Sequence, residues 1–170
     1  MKTIKDEIVV TSAGMISREV YAVCDRNRNF YVQGSMGASL GIGIGLALSK
    51  PDMKVVVIIG DGEALMGLDT LVMLKKLQRE AEKKGWENLP KIYDMKIANN
   101  IIVQTKFNLD LYILDNGCYQ STGGQKTISD AVNFRQLCYC KVIFVEKGGS
   151  DVPRIDIPHH KIRRRFMNAI

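Results

Sequence analysis

The sequence predicts a single doubly wound α/β domain, with a mostly parallel sheet covered by helices on both faces. Three observations carry that expectation. Strand-like runs alternate with helix-like segments, and the run VVVII at 55–59 is apolar at every position, as in a strand buried on both faces. The 170 residues, 46% apolar and 25% charged, are enough for one packed core. Short turns rich in Gly and polar residues follow three of the strands, at 11–14, 60–62 and 115–117, and an open parallel sheet binds ligands beyond such carboxyl ends.

Residues 8–10 (IVV) read as the first strand, ended by Thr11-Ser12-Ala13-Gly14. Ser17 is suited to cap a helix over 18–24, because its hydroxyl can accept from the free N–H groups of a first turn. A polar turn at 25–29 leads to a second strand-like run, FYVQ at 30–33. Gly34-Ser35-Met36-Gly37 then opens an apolar, Gly-rich stretch to Leu48. Gly37, Gly41 and Gly45 share one face of a helix, which permits a close approach either within the domain or across a subunit boundary. The GxGxG spacing follows no strand–turn junction, so it is not a dinucleotide fingerprint. After the turn Lys50-Pro51-Asp52, the 55–59 strand stops at Gly60-Asp61-Gly62. Leu65, Leu68, Leu71, Val72, Leu74 and Leu77 recur at helical spacing and predict a helix over 64–77. LDLYIL at 109–114 is a strand closed by Asp115-Asn116-Gly117, residues 130–137 read as helical, 141–145 as a strand and 158–170 as a C-terminal helix.

No apolar run reaches the roughly 20 residues that cross a bilayer. The opening MKTIKDEIVV has no apolar h-region, so a cytoplasmic address without membrane attachment is expected. A net charge of +6 and a pI near 9.2 point to nucleic acid or an anionic small molecule. Nucleic acid is disfavoured: the cations of 75–84 alternate with Glu80 and Glu82, the Lys161 to Arg165 run reads as a solvated helix, and no zinc-finger or RNP signature is present. Cys24, Cys118, Cys138, Cys140 and the adjacent His159 and His160 lack metal-site spacing, so the cysteines read as reduced thiols.

Chemistry concentrates at the strand ends. The glycines of Gly60-Asp61-Gly62 let backbone turn sharply and come close to a ligand, and the Asp61 carboxylate points toward the start of the next helix. A helix N-terminus suits phosphate, and a carboxylate belongs there if a divalent cation bridges the two. Mg²⁺ takes oxygen ligands, commonly one or two protein groups plus phosphate oxygens and water. Asn116 can offer its amide oxygen, and Cys118 its backbone carbonyl.

Gly60-Asp61-Gly62 followed by Asp115-Asn116-Gly117 resembles the magnesium–diphosphate motif of thiamine-diphosphate enzymes. More narrowly, TSAGMISRE (11–19), NFYVQGSMG (29–37), GDG (60–62), DNGCYQSTGGQKT (115–127) and PRIDIPHHKIRRRF (153–166) are similar to the sulfopyruvate and phosphonopyruvate decarboxylase family, in its diphosphate-binding domain. The resemblance spans nearly all of residues 1–170 except an insertion at about 79–107. It implies the thiamine-diphosphate-binding fold and decarboxylation of a small anionic 2-oxo acid, with thiamine diphosphate and Mg²⁺ as cofactors. Asp61, Asn116 and the Cys118 carbonyl are implied to hold the metal. Gly14, Met15 and Gly62 are implied to cradle the diphosphate, and Met36 to prop the cofactor. Ser35, Gly60, Glu63, Tyr119 and Ser121 complete the implied cofactor contacts, with Thr122, Gly123 and Gly124 beside them. The glutamate that activates the aminopyrimidine lies, in this family, on a pyrimidine-binding domain for which the chain has no room. The resemblance therefore implies a pyrimidine-binding, α-type partner subunit and self-association within a hetero-oligomer.

Glu63 departs from the family, which has Ser or Ala there; beside a diphosphate its carboxylate is expected to turn to solvent or pair with a cation. Asn116 follows Asp61 by 55 residues, longer than the family implies, and Asn99-Asn100 is a nearer alternative without a preceding strand. Two other readings exist. A 2-oxoacid:ferredoxin oxidoreductase β subunit is disfavoured by the missing Cys-x-x-Cys ligands, and a non-catalytic relative would bind the cofactor without turnover.

Overall fold

The computed structural model describes residues 6–84, 108–148 and 151–170. Five strands form one parallel sheet in the order β2-β1-β3-β4-β7: β1 (Ile8–Thr11), β2 (Asn29–Tyr31), β3 (Val55–Gly60), β4 (Leu109–Asp115) and β7 (Lys141–Phe144). A two-stranded antiparallel hairpin, β5 (Cys118–Tyr119) with β6 (Gln125–Lys126), stands beyond the end of β4. The helices are α1 (Met15–Cys24), α2 (Ser39–Ser49), α3 (Asp61–Met66), α4 (Leu68–Lys84), α5 (Phe134–Leu137) and α6 (His159–Met167). The expected α/β class with a parallel sheet is what the chain adopts.

The core follows from strand alternation. Val55, Val57 and Ile59 of β3 share one face and pack in one cluster with Ile8, Val10, Leu111 and Ile113 of the neighbouring strands, Ile44 of α2, and Leu71 and Leu74 of α4. Val9 and Val56 point to the opposite face and are also buried, so the sheet is covered on both sides at β1 and β3. Cover thins at the edge, where Ile143 and Phe144 of β7 are exposed. Gly43 lets α2 lie directly on β3, since a Cβ there would collide with Val57 Cγ2. Gly37 precedes α2, at φ 96°, and packs against Met66, so it does not share the helix face expected of it; Gly41 and Gly45 face outward, and a Cβ on either would meet none of the described residues within 4 Å.

Several local expectations are corrected. The first helix starts at Met15, a turn earlier than a Ser17 cap requires, because Gly14 (φ 87°) turns the chain into it. Ser17 is buried inside α1 and its hydroxyl donates to the Ser12 carbonyl at 2.6 Å. Asp61 and Gly62 are the first turn of α3 rather than loop, and the expected 64–77 helix is two helices broken at Gly67. A Cβ on Gly67 would lie 3.0 Å from the Gly37 carbonyl oxygen, which is where the Gly34–Gly37 turn packs. Over 130–137 only Phe134–Leu137 is α-helical, preceded by a 3-10 turn at Ser129–Ala131. Residues 79–84 of the expected insertion continue α4; its remainder, with Asn99 and Asn100, lies outside the described residues. The C-terminal helix is shorter than 158–170. It is fastened to β2 by Phe166 against Phe30 (5.1 Å between centroids) and to the end of α1 by a two-pronged Arg165–Asp25 ion pair, both bonds at 2.7 Å.

Candidate active site

Two cavities are notable among the described residues. The larger, about 470 Å³, lies at the amino ends of β4 and β7. The smaller, about 360 Å³, lies at the carboxyl ends of β1, β3, β4 and β7, the edge at which open α/β sheets bind ligands, and it is the candidate site. Ten of the twelve residues expected at the cofactor line it: Met15, Met36, Gly60, Asp61, Gly62, Glu63, Asn116, Cys118, Tyr119 and Ser121. Gly14 and Ser35 do not line it, nor do Gly123 and Gly124, whereas Thr122 does. Ser35 is exposed and holds a strained φ of 48° in the turn before α2. Gly14 lies against the site's wall, since a Cβ on it would collide with Ser121 Oγ.

Chain topology brings two distant loops together. Asp61 enters at the end of β3, and Asn116 and Cys118 at the end of β4, which pairs with β3 in parallel up to Gly60↔Leu114. Asp61 is only 2% exposed, and its Oδ2 accepts a short hydrogen bond from Thr127 Oγ1 at 2.5 Å. Thr127 Oγ1 is in turn 3.2 Å from Ser129 Oγ, which donates to Asp115 Oδ1 at 3.0 Å; Asp115 Oδ1 also accepts from the Gly117 N–H. This buried polar chain locks the Asp61 rotamer to the β4 loop. Sequence reasoning missed Thr127, Ser129 and the role of Asp115. Thr127 closes the DNGCYQSTGGQKT segment, but a threonine 66 residues from Asp61 carries no mark of the pairing.

The Asn116 amide is oriented from both ends. Its Oδ1 accepts from the Cys118 N–H at 3.1 Å and its Nδ2 donates to Gln120 Oε1 at 2.8 Å, leaving the amide oxygen a second lone pair. Gly62 is required by packing, because a Cβ there would lie 2.5 Å from a ring carbon of Tyr119. Contrary to expectation, Glu63 does not turn to solvent, and it meets no cation among the described residues. It is 4% exposed, and its Oε1 accepts from the Ser39 backbone N–H at 3.1 Å. Ala38, at the N-cap of α2, has no side chain that can do this, so Glu63 caps α2 from another helix and places negative charge at its positive end. Glu63 Oε2 is buried without a hydrogen-bond partner among the described residues.

The electrostatics of the cavity run against the net charge of the chain. Its described lining holds four carboxylates, Glu19, Asp61, Glu63 and Glu146, and no lysine or arginine. The cations responsible for the +6 lie elsewhere, as on α6, where Lys161, Arg163 and Arg164 are exposed.

Residues 10–79 match the family model of the thiamine pyrophosphate enzyme C-terminal TPP binding domain. The chain is 32% identical over 192 residues to the sulfopyruvate decarboxylase subunit beta of Methanothermobacter thermautotrophicus, covering 98% of this chain and 89% of that one. It is 33% identical over 183 residues to the subunit of the same name from Methanococcus maripaludis, covering 100% of this chain and 92% of the other. A phosphonopyruvate decarboxylase of Streptomyces hygroscopicus is 37% identical over 125 residues, 74% of this chain and 24% of that protein. Matches over nearly the full length of both partners, on a sheet whose carboxyl edge gathers the motif residues, place the chain in the thiamine pyrophosphate-dependent decarboxylase family, among the sulfopyruvate decarboxylase β subunits.

Proposed function

We propose that the chain is the β-type subunit of a thiamine-diphosphate- and Mg²⁺-dependent decarboxylase of sulfopyruvate or a similar anionic 2-oxo acid, working in the cytoplasm within a hetero-oligomer. Residues 1–170 form the diphosphate-binding domain, with an insertion in the region of 79–107. The observation that carries the reading is the meeting of Asp61, Asn116 and Cys118 on one cavity, reached from two neighbouring parallel strands.

The donor set suits the metal. A carboxylate, an amide oxygen and a main-chain carbonyl are the hard oxygen ligands that Mg²⁺ prefers, with phosphate oxygens and water completing an octahedron. The charge of the cavity supports the same conclusion. A diphosphate entering a cavity lined by four carboxylates is repelled unless a divalent cation neutralises the contact. Asp61 and Asn116 would hold that ion, their side chains already oriented by Thr127 and by Gln120.

Bound thiamine diphosphate supplies an electron sink for the charge left when carbon dioxide departs. The residues of this chain bind and orient it. Gly62 and Gly14 keep the loop backbones close to Tyr119 and Ser121, and their main-chain groups would hold the diphosphate. Met36 is 41% exposed at the cavity wall, an apolar prop that a second domain can cover. Tyr119, Gln120 and Ser121 line the side where a substrate would lie. The cations for a sulfonate or phosphonate group, and the glutamate for the aminopyrimidine, come from the pyrimidine-binding partner. The outward glycine stripe of α2 supports that assembly, because Gly41 and Gly45 leave the helix open to close approach.

Calorimetry of the chain co-purified with its partner tests the reading. Thiamine diphosphate should bind only when Mg²⁺ is present, and the pair should release carbon dioxide from sulfopyruvate while the chain alone does not. Equal cofactor affinity in a chelator, or turnover by the isolated chain, would refute it.

A further inference from the structure

The junction of α2 and α3 holds two buried polar atoms that the fold leaves unsatisfied. Glu63 is 4% exposed and Ser39 is fully buried, yet Glu63 Oε2 and Ser39 Oγ make no hydrogen bond among the described residues. They flank a single contact. Glu63 Oε1 accepts from the Ser39 N–H at 3.1 Å, Oε2 shares a carbon with Oε1, and Oγ belongs to the residue that carries the N–H. The turn before α2 closes the junction: a Cβ on Gly37 would lie 3.3 Å from the Met66 carbonyl oxygen at the end of α3. Two side chains in one such place have given up water without a partner in exchange, and each such group calls for an explanation.

Charge enlarges the deficit. A buried carboxylate needs a positive partner, and among the described residues no lysine or arginine lines the cavity that Glu63 borders. The start of α2 offers only about half a positive charge, delivered through the N–H that Oε1 already takes. A neutral hydroxyl cannot supply the rest. We propose that Glu63 Oε2 and Ser39 Oγ bind a monovalent metal cation, Na⁺ or K⁺, at the start of α2. One carboxylate matches one positive charge, and both donors are hard oxygens. Nowhere among the described residues do three His, Cys, Asp or Glu gather as a transition metal would require. Main-chain oxygens and water complete the shell. The site is separate from the one at the strand ends, because Asp61 turns to Thr127 while Glu63 turns to Ser39. The ion would fasten the Gly34–Gly37 turn, with Met36 on it, to α3.

The test uses the chain co-purified with its partner, exchanged into tetramethylammonium chloride with a chelator of divalent ions. Titration with NaCl or KCl at constant ionic strength should show one of the two ions raising the thermal midpoint to a plateau and slowing amide exchange at the start of α2. Glu63→Gln keeps the acceptor for the Ser39 N–H and removes the charge, so the response should vanish, and without either ion this variant should be no less stable than the parent. Ser39→Ala leaves the helix intact and should raise the half-saturating concentration severalfold, which decides the matter even if Glu63→Gln does not fold. Asn116→Ala should keep the response. No saturable response to either ion, an equal response in the parent and in Ser39→Ala, or its loss in Asn116→Ala would overturn the proposal.

Discussion

Thr127→Val removes a single hydroxyl and nearly preserves the side chain's shape, which isolates that hydroxyl's bonds, the short one to Asp61 and the longer one to Ser129. The bond to Asp61 joins a donor 2% exposed to a carboxylate 2% exposed, at 2.5 Å. Hydrogen bonds to charged groups contribute about 1.5–3 kcal/mol, and a buried carboxylate oxygen stripped of its donor has little water to replace it. No cavity opens, so the lost bonds of this hydroxyl, chiefly the one to Asp61, account for the loss. For a chain of this size each kcal/mol moves the midpoint by about 2–4 °C, which puts the expected fall at roughly 3–12 °C. Thr127→Ser keeps the hydroxyl and loses one buried methyl group, a cost of about 1 kcal/mol. Thermal and urea unfolding of the purified chain measure both. The serine variant should be the more stable of the two, and Mg²⁺ with thiamine diphosphate should narrow the deficit of the valine variant, since a cation at Asp61 satisfies the freed oxygen. If the valine variant unfolds with the parent, or the serine variant is the worse, Thr127 does not hold Asp61 and the polar chain to Asp115 has no energetic role.

Gly62→Ala places a methyl 2.5 Å from the Tyr119 ring; overpacking of about 1–3 kcal/mol and a displaced ring should weaken cofactor binding at least tenfold by calorimetry. Glu63→Ala removes the acceptor for the Ser39 N–H and should speed amide exchange at the start of α2 while leaving β3 protected; unchanged exchange there means Glu63 is no cap. Asn116→Ala should abolish Mg²⁺-dependent binding, and Asn100→Ala should leave it intact; the reverse pattern moves the metal site to the earlier asparagine pair. Asp25→Asn leaves the Arg165 guanidinium without its two-pronged anion and should cost about 1–2 kcal/mol, detected as earlier detachment of α6 by limited proteolysis.

Much of the architecture was legible because it rests on local pattern. Val55 to Ile59 are β-branched throughout, as suits a strand buried on both faces of a parallel sheet. The motif loops were equally plain, since Gly-Asp-Gly and Asp-Asn-Gly punctuate strand ends wherever they fall. Boundaries were less legible. The apolar spacing from Leu65 to Leu77 reads as one helix, whereas the chain forms two that meet at Gly67, where a Cβ would lie 3.0 Å from the Gly37 carbonyl oxygen. Ser17 has the chemistry of a cap, yet Gly14 at φ 87° starts the helix first and leaves that hydroxyl to the Ser12 carbonyl.

By itself the sequence determined the α/β class, the order of the strands along the chain and the residue types offered to a metal and a diphosphate, because periodicity and turn chemistry act over a few residues. Tertiary structure alone decided which of those residues meet. Thr127 reaches Asp61 because the β5–β6 hairpin folds back over the end of β3, and Glu63 meets Ser39 because α2 begins beside α3. It also decided where charge falls: a chain with a surplus of cations presents an acidic cavity, since burial and strand order, not composition, select which side chains face a ligand.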